Sequence, residues 1–251
     1  MSFEVEFIKI TAFLGAGLCV GIGAVTTGIG SGIIAGEGAV GIVKQPKANE
    51  QIFRTMLIGQ AAAQTAGIFA LVISMLLIYG IQFDAAGGWY KAAAYISAGL
   101  AMGLGSIGPS LGAGYAGAQA CKSVARMPLH SNPIMTNMLI GQALAQTSAI
   151  FALVVAFLLM FSVPNQPEGI ETGRILFKTM AFIGAGLSIG FGTLGPGTGI
   201  GFVAGKACDM LGRYPAEKSK IMRTMFLGAA VSESTAIYSL VIAFLLIFAI
   251  K

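Results

Sequence analysis

The sequence predicts an all-α membrane protein whose six transmembrane helices form three tandem helical hairpins. Two observations carry this. Of 251 residues, 56% are hydrophobic and only 10% charged, with a mean hydropathy of +0.83; soluble domains do not have this composition. The chain also repeats itself three times. Each unit has a basic residue, one variable residue and proline: Lys44-Gln45-Pro46, Arg126-Met127-Pro128, Arg213-Tyr214-Pro215. A glycine precedes each proline by 16 residues (Gly30, Gly112, Gly199), and a glutamine or glutamate follows it by 18 (Gln64, Gln146, Glu233). Periods of 82 and 87 residues leave room for three units, and repeats of this kind decide architecture before local propensity does.

Each unit contains two apolar stretches long enough to span a bilayer. They are expected near 7–43 and 50–80, then 90–125 and 132–162, then 173–212 and 218–250. The hairpin repeats are accordingly drawn at 1–82, 83–168 and 169–251. The proline turns are short and polar, and the connections near Gln82–Gly88 and Pro164–Gly173 carry Gly and Pro as loops do. The first helix of each unit is glycine-rich, with Gly28-Gly32-Gly36, Gly108-Gly112 and Gly197-Gly201-Gly205 at four-residue spacing. Small residues on one face let helix backbones approach closely in lipid. The second helices are rich in Leu, Ile, Val and Phe. A tight inner layer within a looser, lipid-facing outer layer is the expected arrangement. Pro109 and Pro196 share a repeat position and are expected to kink the inner helices.

Basic residues set the orientation. Ten lie at the proline turns and adjoining helix ends: Lys44, Lys47, Arg54, Lys122, Arg126, Lys206, Arg213, Lys218, Lys220 and Arg223. Five lie on the other side: Lys9, Lys91, Arg174, Lys178 and Lys251. The positive-inside rule places the turns in the cytoplasm and both termini opposite. The start, Met1 to Glu6, carries two acids rather than a basic region, so no cleavable signal peptide is expected. The net charge of +5 forms no patch or run, which excludes a nucleic-acid footprint. Cys19, Cys121 and Cys208 show no pairing pattern and read as small helix residues. Gly103-x-Gly105-x-x-Gly108 and Gly190-x-Gly192-x-x-Gly195 match a dinucleotide fingerprint by letters alone, with no strand before them. Glu37 is expected to snorkel to water near a helix end. No nucleophile–base pair, metal cluster or phosphate loop is present, so no hydrolytic chemistry, catalytic residue or cofactor is expected.

The informative residue is Glu233. It lies inside the apolar segment M-F-L-G-A-A-V-S-E-S-T-A-I-Y-S-L-V-I-A-F, and a carboxylate within a bilayer is by default a functional site. The two other units keep the position and make it neutral: L-I-G-Q-A-A-A-Q-T-A-G-I-F around Gln64 and L-I-G-Q-A-L-A-Q-T-S-A-I-F around Gln146. Glutamine has nearly glutamate's shape but releases no proton near neutral pH.

These residues resemble the c subunit, or proteolipid, of rotary ATPases of the F and V types. G-P-G-T-G-I-G-F-V-A-G-K-A (Gly195 to Ala207) is similar to that family's inner helix, Arg213-Tyr214-Pro215 to its polar loop, and V-S-E-S-T-A-I-Y-S-L (Val231 to Leu240) to its ion-binding outer helix. The resemblance covers all three units. It implies a two-layered ring of hairpins, homo-oligomeric or mixed with other c subunits, turning against a stator subunit that bears an essential arginine. Central-stalk subunits would meet the loops Lys44-Gln45-Pro46, Arg126-Met127-Pro128 and Arg213-Tyr214-Pro215. It implies a multi-pass protein of a bacterial plasma membrane that carries H+ or Na+ and needs no cofactor. The physics agrees: a neutralised Glu can face lipid and a bare carboxylate cannot.

The resemblance also implies a ligand set. Ser234, Thr235 and Tyr238 match the sodium-type outer-helix pattern, and Val231 the position that gives a backbone oxygen. In such rings the hydroxyl and carbonyl come from the adjacent hairpin, so Glu233 would face Thr65 with Ala62, or Thr147 with Leu144. The inner-helix amide of sodium-binding members is missing: Ser31, Ala113 and Ile200 occupy its places. Sodium wants several oxygens, whereas apolar surroundings favour a neutral carboxyl, so the reading leans to protons and keeps sodium open. A homomeric ring of four or five chains would hold only four or five ionisable sites. Each ion crossing about 150–200 mV yields roughly 3.5–4.6 kcal/mol. With the three ATP per turn that the family implies, fewer than two ions serve each ATP, which favours ATP-driven pumping over synthesis. The competing classes are a non-rotary pore or small-solute transporter, and a structural proteolipid in a mixed ring. Transporters often carry inverted repeats, whereas these three are parallel.

Overall fold

The computed structural model describes residues 3–81, 87–167, 169 and 171–249. The hairpin boundaries at Gln82 and Glu168, the middle of the first connection, and Met1, Ser2 and Lys251 lie outside them. The described residues form six helical stretches long and apolar enough to cross a membrane: Glu4–Lys44, Pro46–Tyr79, Gly88–Arg126, Pro128–Phe161, Thr172–Arg213 and Pro215–Ala249. The longest has 42 residues, about 63 Å of helix at 1.5 Å per residue. That is roughly twice the ~30 Å hydrocarbon core.

Hairpin 1 comprises α1 (Phe3–Lys44), α2 (Asn49–Ala63) and α3 (Thr65–Tyr79). Hairpin 2 comprises α4 (Gly88–Gly105), α5 (Ile107–Arg126) and α6 (Ser131–Phe161). Hairpin 3 comprises α7 (Thr172–Gly192), α8 (Leu194–Arg213) and α9 (Lys218–Phe244), which continues as a π turn over Leu245–Ala249. The prolines cause the reversals. A residue before proline is driven out of the helical region, and the three residues concerned have nearly one conformation: Gln45 φ −138, ψ 73; Met127 φ −136, ψ 74; Tyr214 φ −131, ψ 68. Each proline then opens a single 3-10 turn: Pro46–Ala48, Pro128–His130 and Pro215–Glu217.

The breaks inside the inner helices also come from proline. Pro109 and Pro196 have no N–H to donate one turn back, and the helix is interrupted three residues earlier, at Ser106 and Thr193. Their hydroxyls turn back to the preceding carbonyls, Ser106 Oγ to Gly103 O at 2.7 Å and Thr193 Oγ1 to Ile189 O at 2.9 Å. Thr27 stands at the corresponding place in α1, which runs unbroken.

Inner helices pack in chain order, α1 on α4 and α5, and these on α7 and α8. Each outer helix sits over the cleft between its own inner helix and the next: α2 over α1 and α5, α6 over α5 and α8. Glycine sets the inner spacing. A Cβ on Gly114 would lie 2.6 Å from the Gly30 Cα, and one on Gly201 would fall on the Gly112 backbone. Both contacts use the same pair of repeat positions. The expected four-residue ladder holds for Gly108-Gly112 and for Gly197 and Gly201, which meet neighbouring backbone, whereas Gly205 faces the Tyr115 ring. It does not hold for hairpin 1, where Gly28, Gly32 and Gly36 have nothing within 4 Å of an added Cβ. The face of α1 that packs carries Gly15 and Gly30 instead.

Ion pairs brace the ends of the inner helices near the turns. Glu37 reaches Lys122 of hairpin 2 at 2.9 Å, so it has a partner on the next helix rather than only water. Arg126 pairs with Asp209 of hairpin 3, which also meets Arg213 at 3.2 Å. Cys19, Cys121 and Cys208 are buried free thiols.

Candidate functional site

Glu233 lies 18 residues beyond Pro215, about 27 Å along the helix from the turn. The carboxylate lies at the seam between α9 and α6. Glu233 Oε1 is 2.7 Å from Thr147 Oγ1, and Oε2 accepts from Ser148 Oγ at 3.3 Å. Thr147 Oγ1 is also 2.6 Å from Leu144 O. The carboxylate opens on an apolar recess of about 630 Å³ whose walls include Leu144, Ile150, Phe151, Ile200, Phe226 and Ala229. Ile200 is 1% exposed and Ala229 3%, so hydrocarbon lies under the carboxylate.

The other two positions take different surroundings. Gln146 is 6% exposed, and its Nε2 lies 3.5 Å from Ala62 O. Thr65 Oγ1 donates to that same carbonyl at 2.9 Å. Gln146 Oε1 is buried with no hydrogen-bond partner among the described residues. Beneath it, fully buried Gln142 donates to Gly59 O at 3.0 Å and to Ala113 O at 2.9 Å. Hairpin 3 has Ala229 where hairpin 2 has Gln142. Gln64 is exposed, at a break between α2 and α3.

Of the residues expected around Glu233, the structure brings Thr147 and Leu144 to it. It places Thr65 and Ala62 at Gln146 instead. The hairpin 3 residues do not reach the carboxylate: Ser234 Oγ donates to Val231 O at 2.7 Å, Thr235 Oγ1 to Ser232 O at 3.0 Å, and Tyr238 is 66% exposed. The reason is helical geometry. Neighbouring side chains diverge by about 100° around a helix, so Ser234 and Thr235 turn away from the seam that Glu233 faces. The aromatic residue at the carboxylate is Phe151, at Tyr238's repeat position but without a hydroxyl. Ser148 was missed. Its signal was in the repeat alignment, where Ala66, Ser148 and Thr235 share one position, read together with the rule that the adjacent hairpin donates.

The comparisons agree with this architecture. The family of the ATP synthase C subunit matches three times, at residues 14–77, 96–159 and 183–246. The chain belongs to that family, with three hairpins in one polypeptide. It is 33% identical over 242 residues to the K subunit of the A-type ATP synthase of Methanocaldococcus jannaschii, covering 96% of this chain and 98% of that protein. It is 54% identical over 82 residues to the c subunit of the ATP synthase of Alkaliphilus oremlandii, covering 33% of this chain and 91% of that one. The corresponding c subunit of Natranaerobius thermophilus is 52% identical over 77 residues, covering 31% and 88%.

Proposed function

We propose that this chain is a rotor-ring subunit that carries protons across the membrane on Glu233 alone, chiefly to pump at the expense of ATP. The observation that carries the proton assignment is the position of one hydroxyl. Thr147 Oγ1 lies 2.6 Å from Leu144 O and 2.7 Å from Glu233 Oε1. A hydroxyl has one proton and satisfies one of these acceptors. The second short contact needs another proton, and a protonated Glu233 supplies it. The chain then runs from carboxyl to Thr147 to the Leu144 carbonyl, with Ser148 satisfying the other oxygen. A neutral carboxyl so held crosses the lipid-facing part of a rotation at low cost.

Phe151 and Ile200 favour the proton over sodium, because neither offers an oxygen to a hard cation. Gln64 and Gln146 pass the stator without carrying charge. The stator arginine would meet Glu233 once it is deprotonated, and the three cytoplasmic proline turns would face the central stalk. With one carrier per three hairpins, a ring of these chains moves few ions per turn. That suits a pump working against a steep gradient and yields little energy for synthesis.

Carbodiimide labelling of the intact complex tests the site. Glu233→Gln is expected to abolish labelling and ion-coupled ATPase activity, and sodium at neutral pH to protect only weakly. Strong sodium protection would overturn the proton assignment. Robust ATP synthesis at ordinary membrane potential, from a ring containing only this chain, would overturn the pumping direction.

A further inference from the structure

The two seams inside the chain divide between them what a cation site needs. The difference lies at one repeat position, held by Gln60, Gln142 and Ala229, one helical turn before Gln64, Gln146 and Glu233. Where it is glutamine, its amide nitrogen fastens the outer helix to the inner one. Gln60 Nε2 donates to Ser31 O at 3.2 Å, and Gln142 Nε2 to Ala113 O at 2.9 Å and to Gly59 O at 3.0 Å. Both N–H groups of Gln142 are then used, and its oxygen is left over. Gln142 Oε1 is buried with no hydrogen-bond partner among the described residues, and so is Gln146 Oε1. Residues four apart share one face of a helix, so two unsatisfied acceptors lie on the same side of α6. Buried acceptors of this kind are satisfied by a donor or a cation. The seam between hairpins 1 and 2 thus has spare oxygens and no carboxylate. The seam between hairpins 2 and 3 is the reverse. Thr147, Ser148 and the Leu144 carbonyl set oxygens around Glu233 on the α6 side, while Ala229 and Ile200 line the recess with hydrocarbon.

We propose that Ala229 is the residue that keeps Glu233 from holding sodium. Its methyl group stands where the other hairpins carry an amide. A hard cation gathers several oxygens around itself, and in hydrocarbon it also needs a countercharge. Glu233 has the countercharge but oxygens on one flank only, whereas Gln142 has an oxygen and no countercharge. A proton makes neither demand, since it neutralises the carboxylate and needs a single acceptor beyond it. There is room for the missing amide. The recess of about 630 Å³ runs beside Ala229, Ala230 and Glu233. A glutamine at 229 can fasten to Ile200 O, as Gln142 fastens to Ala113 O, and present its oxygen beside the carboxylate. This rests on the proton reading and deepens it: the choice of ion is made one turn before the carboxylate, on its own helix.

Carbodiimide labelling of Glu233 in the intact membrane complex tests this, at neutral pH in sodium and in potassium at equal ionic strength. Ala229→Gln is expected to make labelling several-fold slower in sodium than in potassium. Ala229→Leu fills the recess without an oxygen and is expected to leave the two rates close, as expected of the native chain. Labelling of Ala229→Gln that ignores sodium, or an equal sodium effect in Ala229→Leu, would overturn the proposal. Should Ala229→Gln not assemble, the other seam gives a second readout. Gln146→Glu in a Glu233→Gln background sets a carboxylate one turn from the native Gln142. Labelling at position 146 is then expected to be slower in sodium, and Gln142→Ala to remove that effect. Labelling at 146 that is indifferent to sodium, or a sodium effect that survives Gln142→Ala, would also overturn it. Strong sodium protection of the native Glu233 would sink the proton reading and this proposal together. Weak protection that Ala229→Gln leaves unchanged would sink the proposal alone.

Discussion

At the seam between hairpins 1 and 2, an amide nitrogen stops 3.5 Å short of Ala62 O, and its oxygen is buried without a partner among the described residues. At the seam between hairpins 2 and 3, both oxygens of Glu233 meet hydroxyls, at 2.7 and 3.3 Å. The backbone frame is the same in both, with a glycine pair beneath and a hydroxyl bonded to a carbonyl one helical turn away. Besides Gln146 and Glu233 themselves, and Ala62 becoming Leu144, three side chains change the polarity. Ala66 becomes Ser148, Gln142 becomes Ala229, and Ala113 becomes Ile200. The first seam has polar atoms in its floor and none at Ser148's place, whereas the second has hydrocarbon in its floor and hydroxyls at its rim. A site of exchangeable charge therefore needs more than a carboxylate in the right register. On the proton reading proposed above, it also needs hydroxyls at its rim and hydrocarbon in its floor.

The largest effect should come from exchanging the two groups. Gln146→Glu combined with Glu233→Gln is expected not to restore ATP-driven transport, because Ala66 supplies no second hydroxyl. Transport near the native rate would show that the surroundings do not matter. Next is Thr147→Val, which keeps the shape and removes the link between Glu233 and Leu144. A hydrogen bond of this kind contributes about 0.5–1.5 kcal/mol, so labelling of Glu233 at a fixed neutral pH should fall by up to roughly tenfold. Ser148→Ala removes a donor to Oε2 that favours the ionised carboxylate, so labelling at the same pH should rise by about two- to threefold; a fall as large as that of Thr147→Val would overturn this role. The smallest effect is expected from Gln146→Ala, measured as ATP-driven transport. It discards an amide with one weak bond, and a loss comparable to that of Glu233→Gln would refute the single-carrier reading.

The hairpins were legible because proline and glycine act locally. The three Xaa-Pro turns and the breaks before Pro109 and Pro196 follow from a missing N–H and a forbidden backbone region, which are written into the residue itself. Thr27 shows the same rule by exception, leaving α1 whole. The glycine faces were less legible, since spacing alone makes Gly28-Gly32-Gly36 and Gly15-Gly30 equally good ladders on one helix. Only the neighbour's position decides which is used. The surroundings of Glu233 were the least legible. The resemblance to a sodium-type outer helix suggested Ser234, Thr235 and Tyr238, but Ser234 and Thr235 bond carbonyls of their own helix and Tyr238 is exposed. Thr147 was reachable only as one of two choices, and Ser148 only by aligning repeats across a seam.

Joining three hairpins in one polypeptide also has a consequence for symmetry. When every hairpin of a ring is a separate identical chain, a substitution appears at every step of the circle at once. Loss of the carboxylate would then silence the whole rotor. In a ring built from this chain alone, a change in one hairpin would reach only a third of the steps, and the chain's own connections would set their order. Gln64 and Gln146 can be neutral while Glu233 stays intact, in strict alternation around any ring built from this chain alone. Such a ring can hold hairpins only in multiples of three. On the single-carrier reading proposed above, the number of ions per turn of such a ring would equal the number of chains, whatever the circumference.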